Sequence, residues 1–194
     1  GLLAAALCLS VPATSQNTIA DLVVASSGGA TAGTFDQNGN DYDLLLTALN
    51  TAGLTAAVAD PNANLTVFAP RDSAFVELAR DLGFQGHDEQ GAWTFLVAAL
   101  TTLGNGNPIP VLQDVLKYHV VPARITFFGV LFRSIVGLPI PTLVPGATIQ
   151  PAFFRLIDND PSLRDPRVRL PLNLFADNGV VHTIDRVLLP IDLP

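Results

Sequence analysis

Apolar residues recur at helical spacing up to about residue 122 and then crowd into short runs cut by proline and glycine. In NTIADLVVAS, Ile19, Leu22 and Val23 share one helical face, and DYDLLLTALNTAGL repeats the pattern with Asp41 or Asp43 as N-cap and Gly53 as terminator. NLTVFAP predicts a strand ended by Pro70. DSAFVELARDLG predicts a helix over 73–82 that opens at Asp72, lines up Phe75, Leu78, Ala79 and Leu82, and stops at Gly83. GAWTFLVAALTTLG and IPVLQDVLKYHVVP predict two further helices. From about 123 to 194, runs of β-branched, leucine and phenylalanine residues between turn signals predict short strands. Helices gathered early and strands gathered late define an α+β class rather than a wound βαβ sheet.

At 194 residues, with 49% hydrophobic and 14% charged residues, the chain suits one well-cored domain. A net charge of -7 and a single lysine, Lys117, argue against a nucleic-acid partner, which needs a basic face. The lone Cys8 leaves no internal disulfide framework and no cysteine zinc site. Cys8 lies in GLLAAALCLSVPATSQ, residues 1–16, an apolar stretch below the ~20 residues that span a bilayer. Followed by the small-residue site Val11-Pro12-Ala13, it resembles a signal peptide and suggests an extracytoplasmic address; a docking tail and a first helix packed on the body are the other readings.

Three stretches carry a family resemblance. LTVFAPRDSAF (65–75), YHVVP (118–122) and NGVVHTIDRVLLP (178–190) resemble, in order, the first box, the central Tyr-His motif and the second box of the fasciclin (FAS1) domain, over about residues 17–191. The resemblance implies a FAS1-type fold, a wedge or barrel of short strands flanked by several α-helices, as a single domain over 17–194. It further implies a secreted or surface-attached protein acting in adhesion and protein interaction, without catalysis. Where the family's first box often has Thr or another small polar residue, this chain has Arg71, so Asp72 is expected to accept the first amides of its helix.

Asn178-Gly179 predicts a type I′ turn leading into a strand with two apolar faces. His182 and His119 are therefore expected to be structural, His119 locking its helix to the sheet, and Asp185 to pair with Arg186 or to cap a backbone group. No G-x-S-x-G, H-E-x-x-H, phosphate-loop or dinucleotide motif occurs, which argues against an enzyme and against a cofactor. DQNGNDYD (36–43) fails the EF-hand pattern at its Gly and Glu positions, and in DNDPSLRDPRV (158–168) Arg164 and Arg167 can neutralise the aspartates, so no metal is expected. Asn64-Leu65-Thr66 is a glycosylation sequon.

ITFFGVLFRSIVGLPIPTLVPGATIQPAFF (125–154) is more apolar than alternating strands can bury, so part of it should be exposed as a contact surface unless helices 41–53 and 92–103 cover it. Tyr118, His119, Phe127, Phe128 and Phe132 are the expected partner-binding residues, with Asp72, His182 and Asp185 structural. The expected partner is a surface receptor or a membrane complex of which the chain is an extrinsic, membrane-peripheral subunit. The alternative is a carrier of a carotenoid or lipid in a phenylalanine-lined cleft. Secretion, cell surface, periplasm and an organelle lumen such as the thylakoid lumen all satisfy the extracytoplasmic reading.

Overall fold

The computed structural model describes residues 17–29 and 31–192; the apolar segment 1–16 lies outside the described residues. The helical half opens with α1 (Ile19–Ser26), α2 (Asp43–Thr51) and the short α3 (Thr55–Ala59). Strand β1 (Leu65–Pro70) follows, then α4 (Asp72–Asp81), α5 (Glu89–Leu103) and α6 (Pro108–Tyr118). The remainder holds β2 (Val120–Val121), α7 (Phe127–Val136), β3 (Ile140–Pro141), β4 (Thr148–Ala152), β5 (Arg155–Ile157), β6 (Leu174–Ala176) and β7 (Gly179–Ile184).

Local chemistry explains most of these boundaries. Thr18 and Asp21 form a reciprocal capping box at α1, Asp88 accepts the Gly91 amide to open α5, and Asn107 accepts the Ile109 amide to open α6. Gly83 adopts φ +107 just past α4, a conformation that side chains rarely take.

Two open sheets make the strand framework, in the orders β2-β1-β7-β6 and β3-β4-β5; neither closes into a barrel. The central pair, β1 and β7, is parallel, running from Leu65 opposite Gly179 to Pro70 opposite Ile184. Its side chains alternate between two cores. Val67, Ala69 and Val181 join the core made with α1, α2, α4, α5 and α6, while Phe68 and Ile184 join a second core with Tyr118, Ile125, Val130, Ile140, Ile149 and Leu156. Every residue of β7 is buried, as its two apolar faces require.

Three expectations need correction. Segment 123–194 is not all strand, because α7 occupies 127–136: Thr126 caps it through the Gly129 amide, and Gly137 ends it in the left-handed region. Its inward residues, Phe127 and Val130, are matched by an equally apolar outward row, Phe128, Phe132 and Ile135, and this doubling conceals the helical period. Nor do α2 and α5 cover the segment, since they belong to the other core. Finally, the β6–β7 hairpin turns on Asp177-Asn178, with Ala176 opposite Gly179, and neither turn residue has positive φ, so it is not type I′. Gly179 is required by close packing instead: a Cβ there would lie 2.3 Å from the Leu65 carbonyl oxygen and 2.7 Å from Ile19.

Candidate functional site

The two motif histidines are fixed by backbone partners. His119, 2% exposed, ends α6 and places Nδ1 2.7 Å from the Val115 carbonyl oxygen, while its Nε2 accepts the Leu188 amide at 2.9 Å. One ring nitrogen must donate and the other accept, so the imidazole is neutral. Burial lowers its pKa to about 4, against a smaller upward pull from Val115. This is the expected lock between helix and sheet region. His182 lies inside β7 with Nε2 2.8 Å from the Ile125 carbonyl oxygen and its ring 5.6 Å from that of Phe68; burial lowers its pKa also. A histidine poised for proton transfer needs a substrate-facing nitrogen. His119 has both nitrogens engaged, whereas Nδ1 of His182 is buried without a partner.

Asp185 does not pair with Arg186. It accepts the Arg167 amide at 2.7 Å and meets Arg169 at 2.6 Å, whereas Arg186 reaches Asp81 and Glu77 on α4. The His-Asp-Arg trio of the second box thus disperses into three separate tasks. Asp72 is the larger surprise. It does not cap its own helix: its oxygens accept the amides of Asp43 and Leu44 at 3.0 and 2.9 Å, closing the N-terminus of α2. Neither Asp41 nor Asp43 acts as side-chain cap there; the N-cap position is Tyr42. Asn178 plays a similar part, accepting the Ile19 amide and donating to the carbonyls of Val58 and Asp60.

Of the five residues expected to touch a partner, Tyr118, His119 and Phe127 are buried and cannot form a surface; Tyr118 donates inward to the Thr148 carbonyl. Phe128 and Phe132 are 76% and 60% exposed. They lie one turn apart on α7, in line with exposed Ile135. The tip of the β4–β5 hairpin adds exposed Phe153 and Phe154, held against α7 by the Phe153 amide bonding Ser134 at 2.7 Å and by Phe154 meeting the Phe127 ring at 5.1 Å. Phe132 borders a shallow, open recess with Ile125, Gly129 and Leu138, but none of the exposed phenylalanines lines the more enclosed apolar cleft. That cleft is narrow, with a free volume of about 40 Å³; it lies among α4, α5 and α6 and is lined by Phe75, Trp93, Ala99, leucines and valines.

At the opposite character extreme, Asp36, Asp41, Asp43, Asp72 and Glu89 converge where the 36–41 loop meets the first residues of α2, α4 and α5. Oxygens of Asp36, Asp41 and Asp43 lie within 4.8 Å of one another, as do those of Asp43, Asp72 and Glu89. Burial, then neighbouring carboxylates, raises the pKa of Asp72, Asp43 and Glu89, although amides pull each partly back. Asp72 and Glu89 are remote in sequence from the 36–43 loop, so no local motif could reveal this cluster.

Within this mixed α+β framework the motif side chains bond inside the fold, His119, His182, Asp72 and Asn178 to backbone groups and Asp185 and Arg186 to charged side chains as well. A fasciclin-domain model matches residues 40–190, and the chain belongs to the fasciclin domain family. It is similar to the uncharacterized protein sll1735 of Synechocystis sp. (strain ATCC 27184 / PCC 6803 / Kazusa), 30% identical over 148 residues, 76% of this chain and 89% of the relative. Among solved structures it is similar to a FAS1 domain pair from the insect cell adhesion molecule fasciclin I, with TM-score 0.54 and 14% identity. That match covers 81% of this chain but only 51% of the pair, and at such identity it shows the fold alone. Fasciclin domains are generally non-catalytic adhesion or interaction modules, typically extracytoplasmic.

Proposed function

We propose that this chain is a non-catalytic interaction module, secreted or lumenal, that docks on a protein partner through the outer face of α7 and the adjoining β4–β5 hairpin tip. The partner is a surface receptor in cell adhesion or a membrane complex that holds the chain as a peripheral, extrinsic subunit. One observation carries the reading: Phe128, Phe132, Ile135, Phe153 and Phe154 are exposed on two elements held together, so their apolar areas form a joined patch. Large apolar patches of this kind mark contact sites. Aromatic side chains are also the residue type that anchors protein interfaces.

The test is a Phe128→Ser, Phe132→Ser double variant. It should keep the wild-type melting temperature, because both side chains are outside the core, and it should lose the protein that co-purifies with wild type from its native source. An unchanged set of co-purifying proteins would sink the reading.

A second reading, a carrier of a carotenoid or lipid, draws support from the apolar α4–α5–α6 cleft. It requires a visible absorption band or an extractable lipid in natively purified protein, and Leu100→Trp should displace that ligand.

A further inference from the structure

We propose that Asp36, Asp41, Asp43 and Glu89 form a binding site for one divalent cation of the calcium type, which ties the 36–41 loop to the N-termini of α2 and α5. Calcium takes oxygen ligands at 2.3–2.6 Å, so two oxygens on one ion stand at most about 5 Å apart. The oxygens of Asp36, Asp41 and Asp43 already meet that limit together, and Asp43 meets it with Glu89, which a bound ion would draw in as the fourth side chain.

Proximity alone would be an acidic cluster. The second observation is the state of the innermost side chains. Asp43 is 1% exposed and Asp41 5%, yet neither oxygen of Asp43, nor Oδ1 of Asp41, has a donor in good hydrogen-bond geometry; the Asp36 amide and the Ser27 hydroxyl act on Asp43 without closing such a bond, and Asp41 faces the Asp72 carboxyl. Buried carboxylate oxygens without partners are rare because the lost hydration is uncompensated. The acidic residues at the starts of α2 and α5 suit the helix dipoles, but a dipole supplies no partner for these oxygens. Among the described residues, none of the five carboxylates forms an ion pair with a basic side chain. Arg71, which lies beside the cluster in sequence, bonds the Asn40 side chain instead.

The surrounding bonds orient the remaining oxygens. Glu89 Oε2 accepts the Gln37 amide at 3.1 Å, Asp36 Oδ1 accepts the Asn38 amide at 2.8 Å, and Asp41 Oδ2 accepts the Asn38 side-chain amide at 3.1 Å. Asp72, with both oxygens committed to α2, forms the back wall. Asp36 is exposed and marks the mouth, where water would complete the shell. Oxygen-only ligands select a hard cation, and their origin on three different elements suits the flexible coordination of calcium better than the strict octahedron of magnesium. The site does not follow the EF-hand spacing of residues 36–43, because Glu89 comes from α5 and the back wall, Asp72, from α4.

The experiment is a calcium chloride titration of chelator-stripped full chain, followed by calorimetry and by melting temperature, with magnesium chloride at equal ionic strength alongside. Calcium should bind saturably at one ion per chain and raise the melting temperature by several degrees. Asp43→Asn should abolish both effects while melting, without ion, at or above wild type, since it removes an unbonded buried charge. Asp36→Asn, at the exposed mouth, folds independently of that argument and should weaken calcium binding at least tenfold. Absence of a saturable calcium response in the millimolar range, its retention in both variants, or a response to magnesium alone would each overturn the proposal.

Discussion

Replacing Asp72 by alanine separates two roles that look alike in sequence. As a cap on its own helix the side chain would be worth about 0.5–2 kcal/mol. In the structure it accepts two buried amides of a different helix, those of Asp43 and Leu44. Each amide left without a partner costs about 1–3 kcal/mol. Removal of a buried carboxylate close to Asp41 and Glu89 offsets part of that loss, because those charges and burial both disfavour its ionised form. The net expectation for Asp72→Ala is a loss of about 2–4 kcal/mol, by urea denaturation. Asp72→Asn, which keeps one acceptor oxygen, should fall between. Amide hydrogen exchange locates the effect: protection should fall at Asp43 and Leu44, at the start of α2, and persist at Ala74 and Phe75. Loss of protection at Ala74 and Phe75 with α2 unchanged would refute the bridging role.

Other outcomes follow from single contacts. His119→Ala should cost about 2–4 kcal/mol, since the Leu188 amide and the Val115 carbonyl both lose partners in the core. The same histidine sets a pH dependence: with a folded pKa near 4 and an unfolded value near 6.5, its neutral state contributes fully above pH 6.5. Below that, the unfolded chain takes up a proton that the folded chain refuses, so stability falls by about 3 kcal/mol on the way to pH 4. His119→Ala should flatten that part of the profile in urea melts, and an unchanged slope would exclude the assignment. Gly179→Ala should cost more than about 2 kcal/mol in thermal unfolding, because its methyl group meets the Leu65 carbonyl, and a neutral result would discount close packing as the reason for glycine. Asp185→Ala, which breaks a half-exposed pair with Arg169 and one amide contact, should cost only about 1 kcal/mol, and Arg186→Ala should show no coupling with it in a double-mutant cycle.

The sequence was most informative where chemistry is local. Ile19, Val23, Phe75, Leu78 and Ala79 are buried as their spacing requires, and the three spaced motifs led to the family. Both histidines are buried against backbone partners, His182 within a strand that is apolar on two faces and His119 at the end of α6. What stayed hidden depends on contacts between distant segments. Asp72 is the first residue of its own helix, but its side chain turns to the orphan amides of α2, which lie close only in the folded chain. Asp185 and Arg186 are adjacent just past the end of β7, yet their side chains part, to Arg169 and to α4 respectively. The α7 helix escaped because its exposed side is as apolar as its buried side, the same property on which its proposed docking role rests. Glu89 gave no signal, for nothing near it in the chain announces a carboxylate cluster.

The parallel pairing of β1 with β7 also sets a timetable. Leu65 waits for Gly179, so the middle of the principal sheet can form only after almost the whole domain has been synthesised. Long-range closure of this kind is slow, because the intervening loop must be gathered before any strand bond rewards it. During that interval the inner faces of α2, α4, α5 and α6 have no sheet to rest on, and the nascent chain is a natural client for a chaperone that shields apolar helices. The last strand is therefore the event that commits the chain: a molecule stopped short of residue 179 would hold most of its helices and still lack the element that joins its two cores.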